Sequence, residues 1–495
     1  MTYLQRIAEI VTETGKNKVD VIHFGALHNE EENMHEQAYN LLFEGIAPDD
    51  KKRDNYPLYE MGSVAFRKFL SRFRRKVYNM LLLTDVSGTR ISPALKAEIA
   101  CGRMVLMVRI LTVLYARRAG VDMAKKILRQ SEKFIFPDFA LISLKVLRKE
   151  MSETGMKKEL AEMHKQTDFW MAQMMAEDKA NRYMELIEVP FGRSISQKPE
   201  LAQVAFDYVK KIEKDIEKHD SYTLQYYKHR IEAAGHENAK EYRKCIKSWN
   251  AWKTYLELNP DYASDTRYGE VAIHKLNYYM HLHQYSSGRR CAEQCLKHFW
   301  PGNTTRLVFM EPYFLFNMQT GQYTKAAEIY ADTKKDKHFV ELHDTNKEKW
   351  VIFNAYNIYA LNEKSAIRKF DLKGFSKDTK VFSPDKKGFN AAKIIIGCCM
   401  LLRKGNTTGL IDLRWALKEY RLRYLGTEPG SRVNVFFNML YTADLMGYDF
   451  EKTVAATKDD LALLKDAPYH YDGNMEGLEI IPFETLWQMF IGDMK

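Results

Sequence analysis

The sequence predicts an all-α fold, and three observations carry that expectation. Only 13 prolines and 25 glycines interrupt 495 residues, fewer than the turn-rich pattern of a β-sandwich requires. The strong helix formers Leu, Lys, Glu, Ala and Met are plentiful, and apolar residues recur at spacings of three and four, which gathers them on one face of a helix. A chain this long exceeds one ordinary domain unless it is a repeat array, and it can bury a sizeable core without disulfide staples.

Residues 1–195 are expected to form an N-terminal basic helical region. From Tyr59 to Leu83 the residues Phe66, Phe69, Leu70, Phe73, Val77, Met80 and Leu81 make one helical face. Arg67, Lys68, Arg72, Arg74, Arg75 and Lys76 fall largely on the other side as a positive stripe, able to neutralise the phosphates of nucleic acid or to meet anionic lipid. A second helix is expected from Ser92 and Pro93 to Arg118 and Gly120, since proline suits a first turn and glycine a helix end. Within it Arg109 interrupts an apolar run, so its guanidinium must reach water or find a carboxylate or carbonyl. Further helices are expected over 122–132, 137–149 and 157–188. The run from Met104 to Tyr115 is only about half the ~20 residues that cross a bilayer, so no membrane span is expected.

Charge and cysteine usage narrow the partners and the compartment. The 75 basic and 65 acidic side chains leave a formal charge of +10, a weak preference for acidic partners. Six cysteines without disulfide-framework spacing fit a reducing compartment, and the start of the chain has no export-signal pattern. A cytoplasmic location is expected.

Pro190, Gly192 and Pro199 mark a connection near 195. After it, over 196–362, helices come in pairs with short turns. Gly321, Tyr323, Ala326 and Tyr330 supply a chain-reversing glycine, an aromatic over the turn, a small residue where helices cross and an aromatic for the next seam. This segment resembles the turn and second helix of a tetratricopeptide repeat. Tyr285, Gly288, Ala292 and Cys295 echo it 38 residues earlier, from Tyr285 to Tyr323, against a family period of about 34. Gly288 stands where that family has alanine. Asn259 and Pro260 look like a repeat-ending turn. The resemblance implies a right-handed solenoid of helical hairpins over roughly a third of the chain, flanked by additional N- and C-terminal helical regions. A lysine-rich loop or insertion is expected at 363–388, then C-terminal helical repeats over 389–495, ending in a capping helix from Pro482 to Ile491.

No phosphate-cradling glycine loop, dinucleotide fingerprint, HExxH helix or glycine-flanked serine occurs in the sequence. No catalytic residue and no cofactor are therefore assigned. His281, His283, Cys291, Cys295 and His298 carry ligand-type atoms without a recognised finger spacing, and core packing accounts for them. His23, His28, Glu30, Glu31, Glu32, His35 and Glu36 lack the partner half that a di-iron bundle needs. Cys398 and Cys399 sit in an apolar run and are expected to be buried.

Function is expected to follow architecture: a scaffold or adaptor that holds a protein or peptide partner in the concave groove of the solenoid. The residues assigned to that groove are Asn277, Tyr278, Tyr313, Asn317, Asn354 and Asn357, an amide and aromatic mixture suited to a peptide backbone. One alternative is a nucleic-acid-associated protein using the stripe around Arg72. The other is an enzyme whose site is assembled across helices, which leaves no local motif.

Overall fold

The computed structural model describes residues 63–193, 199–299, 304–371, 374–375, 387–420, 432–466 and 479–495. Every regular element among them is helical, and none of these helices is long and apolar enough to cross a membrane. The expected boundary near 195, half of the lysine-rich stretch 363–388 and the cluster around His23 to Glu36 lie outside the described residues; the described start of that stretch is a short helix, Lys364–Lys369, where a loop or insertion was expected. Two compact units emerge: the described residues up to Met174 with Pro260–Ser264, and Met175–Asn259 with Asp265–Lys495.

In the first unit α1 is Ser63–Leu83, α2 Pro93–Val113, α3 Arg117–Phe134 and α4 Pro137–Glu153. The start of α5, Lys157–Arg193, also belongs to it. Ser92 caps α2 by accepting the Leu95 N–H at 3.3 Å, with Pro93 in the first turn. The single helix expected from Ser92 to Arg118 is broken. Tyr115 turns left-handed at φ 56°, and the Ala116 N–H donates to the Leu111 carbonyl at 2.9 Å, which closes α2 and starts α3. Cys101, Val105 and Val108 of α2 pack with Ile127 of α3, and Ala124, Leu128, Ala140, Leu144, Leu147 and Trp170 form the adjoining core. Arg109 is exposed, so of the two options open to its guanidinium it takes water.

The second unit holds the rest of α5, then α6 Pro199–His219, α7 Tyr222–Asn238, α8 Tyr242–Leu258, α9 Asp265–His281, α10 Tyr285–Leu296, α11 Thr304–Gln319 and α12 Tyr323–Lys335. After a 3-10 turn follow α13 Asp344–Leu361, the short α14 Lys364–Lys369, α15 Lys387–Arg403, α16 Thr407–Tyr420, α17 Arg432–Leu445, α18 Phe450–Ala456, α19 Lys458–Asp466 and α20 Phe483–Gly492. Helices pack on their neighbours in order, as in a helical solenoid: α8 touches both α7 and α9, and α12 both α11 and α13. The odd-numbered helices α9, α11, α13, α15 and α17 are first helices of hairpins, and α9 also packs on α11, α13 on α15, and α15 on α17.

One turn closes the hairpins. Lys240, His283, Gly321, Asn362, Gly405 and Gly447 all have positive φ, between 52° and 72°. They stand 43, 38, 41, 43 and 42 residues apart in succession, so the repeat is near forty residues long. In five of the six, the N–H of the next residue reaches back to a carbonyl of the preceding helix: Glu241 to His236, Gln284 to Tyr279, Gln322 to Asn317, Asn406 to Leu401 and Tyr448 to Ala443, all within 3.0 Å. That bond satisfies a carbonyl that a helix end leaves unpaired. Five residues past each of the first three turns the second helix buries a small residue, Cys245, Gly288 and Ala326, the first and last both 0 % exposed. At Gly288 a β-carbon would lie 2.7 Å from the Phe316 ring, which accounts for glycine where alanine was the family expectation.

Ala326→Leu forces three added carbons into this crossing and is expected to lower stability by about 1 to 3 kcal/mol, read from the denaturant midpoint. A second outcome concerns Glu348 of α13, which is 3 % exposed. Burial raises its carboxyl from 4.5 to about 7, against the pull of Lys393. The folded protein therefore holds a proton that the unfolded chain has released. Its stabilising effect is complete below about 4.5 and is lost as pH rises through about 7. Glu348→Gln should leave stability near about pH 4 unchanged and raise it near about pH 8 by on the order of 2 to 3 kcal/mol, as measured by unfolding at the two pH values.

Candidate functional site

The side of the second unit formed by first helices falls into two chemically different parts. Across α11, α13, α15 and α17 it is covered by the chain's own residues 479–495. Gln319 at the end of α11 donates to the Glu479 carbonyl. Tyr359 of α13 donates to Asp493 at 2.7 Å, and the Nε–H of Arg403 at the end of α15 is shared by both oxygens of the same carboxylate, at 2.8 and 2.9 Å. The Arg403 guanidinium also lies 3.6 Å from the centroid of the Tyr359 ring. At the other end Arg432 of α17 holds Glu479 at 2.8 Å and Glu484 at 2.8 Å. Between these charged ends the segment is apolar: Ile480, Ile481, Phe483, Leu486, Trp487 and Phe490 are each at most 1 % exposed, and Phe483 stacks on Phe436 at 4.4 Å. Acidic anchors at both ends fix the register of an apolar middle that would otherwise slide.

Across α5, α7 and α9 the same side carries a ladder of polar side chains. Tyr227 of α7 donates to Asn181 of α5 at 2.6 Å. Arg230 of α7 donates to Glu188 of α5 at 2.5 Å and to the Tyr226 hydroxyl at 2.6 Å. That hydroxyl donates to Glu270 of α9 at 2.8 Å, and Glu270 also accepts from Arg267 at 2.9 Å. The Arg267 guanidinium lies 4.8 Å from the Tyr226 ring centroid, so its face is held by π-electrons and its edge stays a donor. Burial, reinforced by Glu270, pushes the Tyr226 hydroxyl up to about 12, which keeps it a donor. Behind the ladder His274 stacks on Trp249 at 4.3 Å, and burial lowers its imidazole to about 4, so the ring is neutral near neutral pH. The Arg230 and Arg267 side chains are 32 % and 35 % exposed and Glu188 is 48 % exposed, which leaves this surface within reach of a partner.

The six residues expected in the groove divide by depth. Tyr278, Tyr313, Asn317 and Asn357 are at most 5 % exposed and face the interior. Tyr278 donates to Glu237 at 2.8 Å, Asn317 to the Tyr313 carbonyl at 2.7 Å, and Asn357 to the Tyr323 carbonyl at 2.8 Å. The physical reason is that these first helices are packed on both sides, so an amide there finishes a neighbouring turn. Asn277 and Asn354 are half-buried. In the basic stripe, Arg67, Lys68, Arg72, Arg74 and Arg75 are exposed and Phe69 is buried, the expected division of faces. The Lys76 side chain lies outside the described residues. Of the ladder, Tyr226, Arg230, Arg267 and Glu270 escaped the sequence, where the one available signal was an i, i+4 tyrosine–arginine pair.

The cysteines are all free and buried, including Cys398 and Cys399 as expected. Cys291 and Cys295 point at the Ala272 and Gly269 carbonyls, at 3.6 and 3.8 Å. His281 stacks on Tyr242 at 4.0 Å and His298 meets Asp265 at 3.0 Å, so these side chains have separate partners. Among the described residues no three His, Cys, Asp or Glu side chains gather as a metal site would require.

The covering segment yields a direct test. Asp493→Ala leaves Arg403, whose side chain is only 11 % exposed, without its carboxylate, and should cost about 3 kcal/mol in a denaturant titration. Arg403→Met with Asp493→Leu should recover most of that loss.

No family model, no curated protein and no solved structure matches the chain.

Proposed function

We propose that this protein is a scaffold or adaptor, a right-handed helical-hairpin solenoid of the tetratricopeptide type, that binds a protein or peptide segment along its concave row of first helices. One observation carries the proposal: that row already holds a polypeptide segment. Residues 479–495 lie across four successive first helices, anchored at both ends by arginine–carboxylate pairs. A row that holds one segment in cis by arginine–carboxylate pairs at its ends offers that same pairing chemistry, without the apolar middle, where it is uncovered across α5, α7 and α9. There Arg230, Glu188, Arg267 and Glu270 offer paired charges, and Asn277 offers an amide. Of the expected groove residues Asn277 keeps that role; Asn354 lies on α13, in the covered part of the row, and the deeper four brace the helices behind. Six unpaired, buried cysteines support action in a reducing compartment, the cytoplasm.

The test uses the full chain as bait in an extract of its source. Arg230→Glu with Arg267→Glu is expected to remove the specifically captured protein and to shift thermal unfolding little, since each partly exposed pair contributes about 1 kcal/mol or less. Arg72→Glu with Arg75→Glu supplies the contrast and is expected to leave capture intact. The reverse result, capture lost only on changing α1, would move the site to the basic stripe and favour a nucleic-acid partner. Its signature would be steep weakening with salt.

A further inference from the structure

The first unit carries a surface that the row of first helices does not explain. Helix α2 is apolar on two sides. One side, with Cys101, Val105 and Val108, is core. The other ends in side chains that face water: Ile110 is 49 % exposed, Val113 74 %, Leu114 67 % and Tyr115 95 %. Arg117, the first residue of α3, pairs with Glu150 and Glu153 near the end of α4. The α2–α3 turn and the α4–α5 turn therefore share one end of the unit, and the second turn adds Met156, 40 % exposed. Exposed cations flank this apolar end, Arg109, Arg118, Lys157 and Lys158, with Lys149 paired to Glu153 at 4.0 Å and Glu159 also exposed there. The charge setting is lopsided as well, because residues 63–133 contain 16 Lys and Arg against 4 Asp and Glu.

We propose that this end of the first unit docks on an anionic phospholipid surface, inserting Val113, Leu114 and Tyr115 at the headgroup boundary while Arg109, Arg118, Lys157 and Lys158 meet lipid phosphates. The combination selects this occupant. Aliphatic tips gain nothing from a nucleic acid, whose bases are read by hydrogen bonds and stacking, and a cationic rim gains little from a neutral apolar partner. A bilayer interface takes both, with acyl chains below and negative charge above. Tyrosine is also the residue type enriched at that depth. No span is involved: the contact is peripheral and salt-sensitive.

Cosedimentation of the full chain with vesicles tests this. Binding is expected to phosphatidylcholine vesicles containing phosphatidylserine and to be weak on phosphatidylcholine alone. Val113→Glu with Leu114→Glu should lower partitioning about tenfold or more. Arg109→Gln with Arg118→Gln should also weaken it, and should flatten its salt dependence. These positions are exposed, so circular dichroism and the thermal midpoint should stay as in the parent. Leu114→Trp should shift its fluorescence to the blue on anionic vesicles. The proposal is overturned if the parent ignores anionic vesicles, or if the glutamate pair binds them as well as the parent does. It also fails if the tip instead drives self-association that the glutamate pair abolishes, or if duplex DNA binds with the same tip dependence.

Discussion

A helix that is apolar all round must be covered all round, and this constraint governs the second unit from α11 onward. Residues 312–319 of α11 are buried without a break, and so are residues 395–401 of α15. In a row of hairpins, second helices cover one flank of each first helix and neighbouring first helices cover two more. The remaining flank would face water, and residues 479–495 close it. Upstream, where α7 and α9 carry Arg230, Arg267 and Glu270 on the same flank, no apolar cover is needed. The change in side-chain chemistry along the row thus decides which stretch is interior and which is surface.

The hairpins themselves depend on a backbone requirement, not on a side-chain motif. Each turn has one residue with positive φ, and in all but the turn at Asn362 the next N–H returns to the preceding helix. Glycine meets the first condition without strain, and Gly321, Gly405 and Gly447 do so. Lys240, His283 and Asn362 adopt the same conformation at some steric cost, which the surrounding helix contacts offset.

That substitution explains how much of the fold was legible in the sequence. Helix content follows from composition and period, and the hairpin at Gly321 was readable because glycine, aromatic and alanine fall in the expected order. The neighbouring turns use Lys240, His283 and Asn362, residue types common in helix interiors or loops, so the spacing was visible only once, from Tyr285 to Tyr323, and its continuation along the row stayed hidden. Tyr115 hid the break between α2 and α3 in the same way, by sitting in an apolar run that reads as continuous helix. The site was less legible still. Asn317 and Asn357 look like surface amides in one dimension, and only the stacking of first helices turns them inward. Residues 482–491 were expected to cap the end of the array. The flanking Glu479 and Asp493 meet Gln319 and Tyr359 across 160 and 134 residues, a separation at which helical periodicity carries no information.

The same separation has a temporal side. A ribosome that has just finished α11 must add some 160 further residues before Glu479 exists to accept the Gln319 amide. At the roughly 5 to 20 residues per second of synthesis, the apolar flank of α11 waits about 8 to 30 seconds for its cover. Local helix pairing is complete long before that, on a timescale of microseconds to milliseconds. The half-built row therefore spends about the last third of synthesis, 160 of 495 residues, as a set of formed hairpins with one sticky side, a state that chaperones recognise and that aggregation threatens. Final closure is a docking step between preformed parts, and its rate is set by diffusion of a tethered segment more than by helix formation.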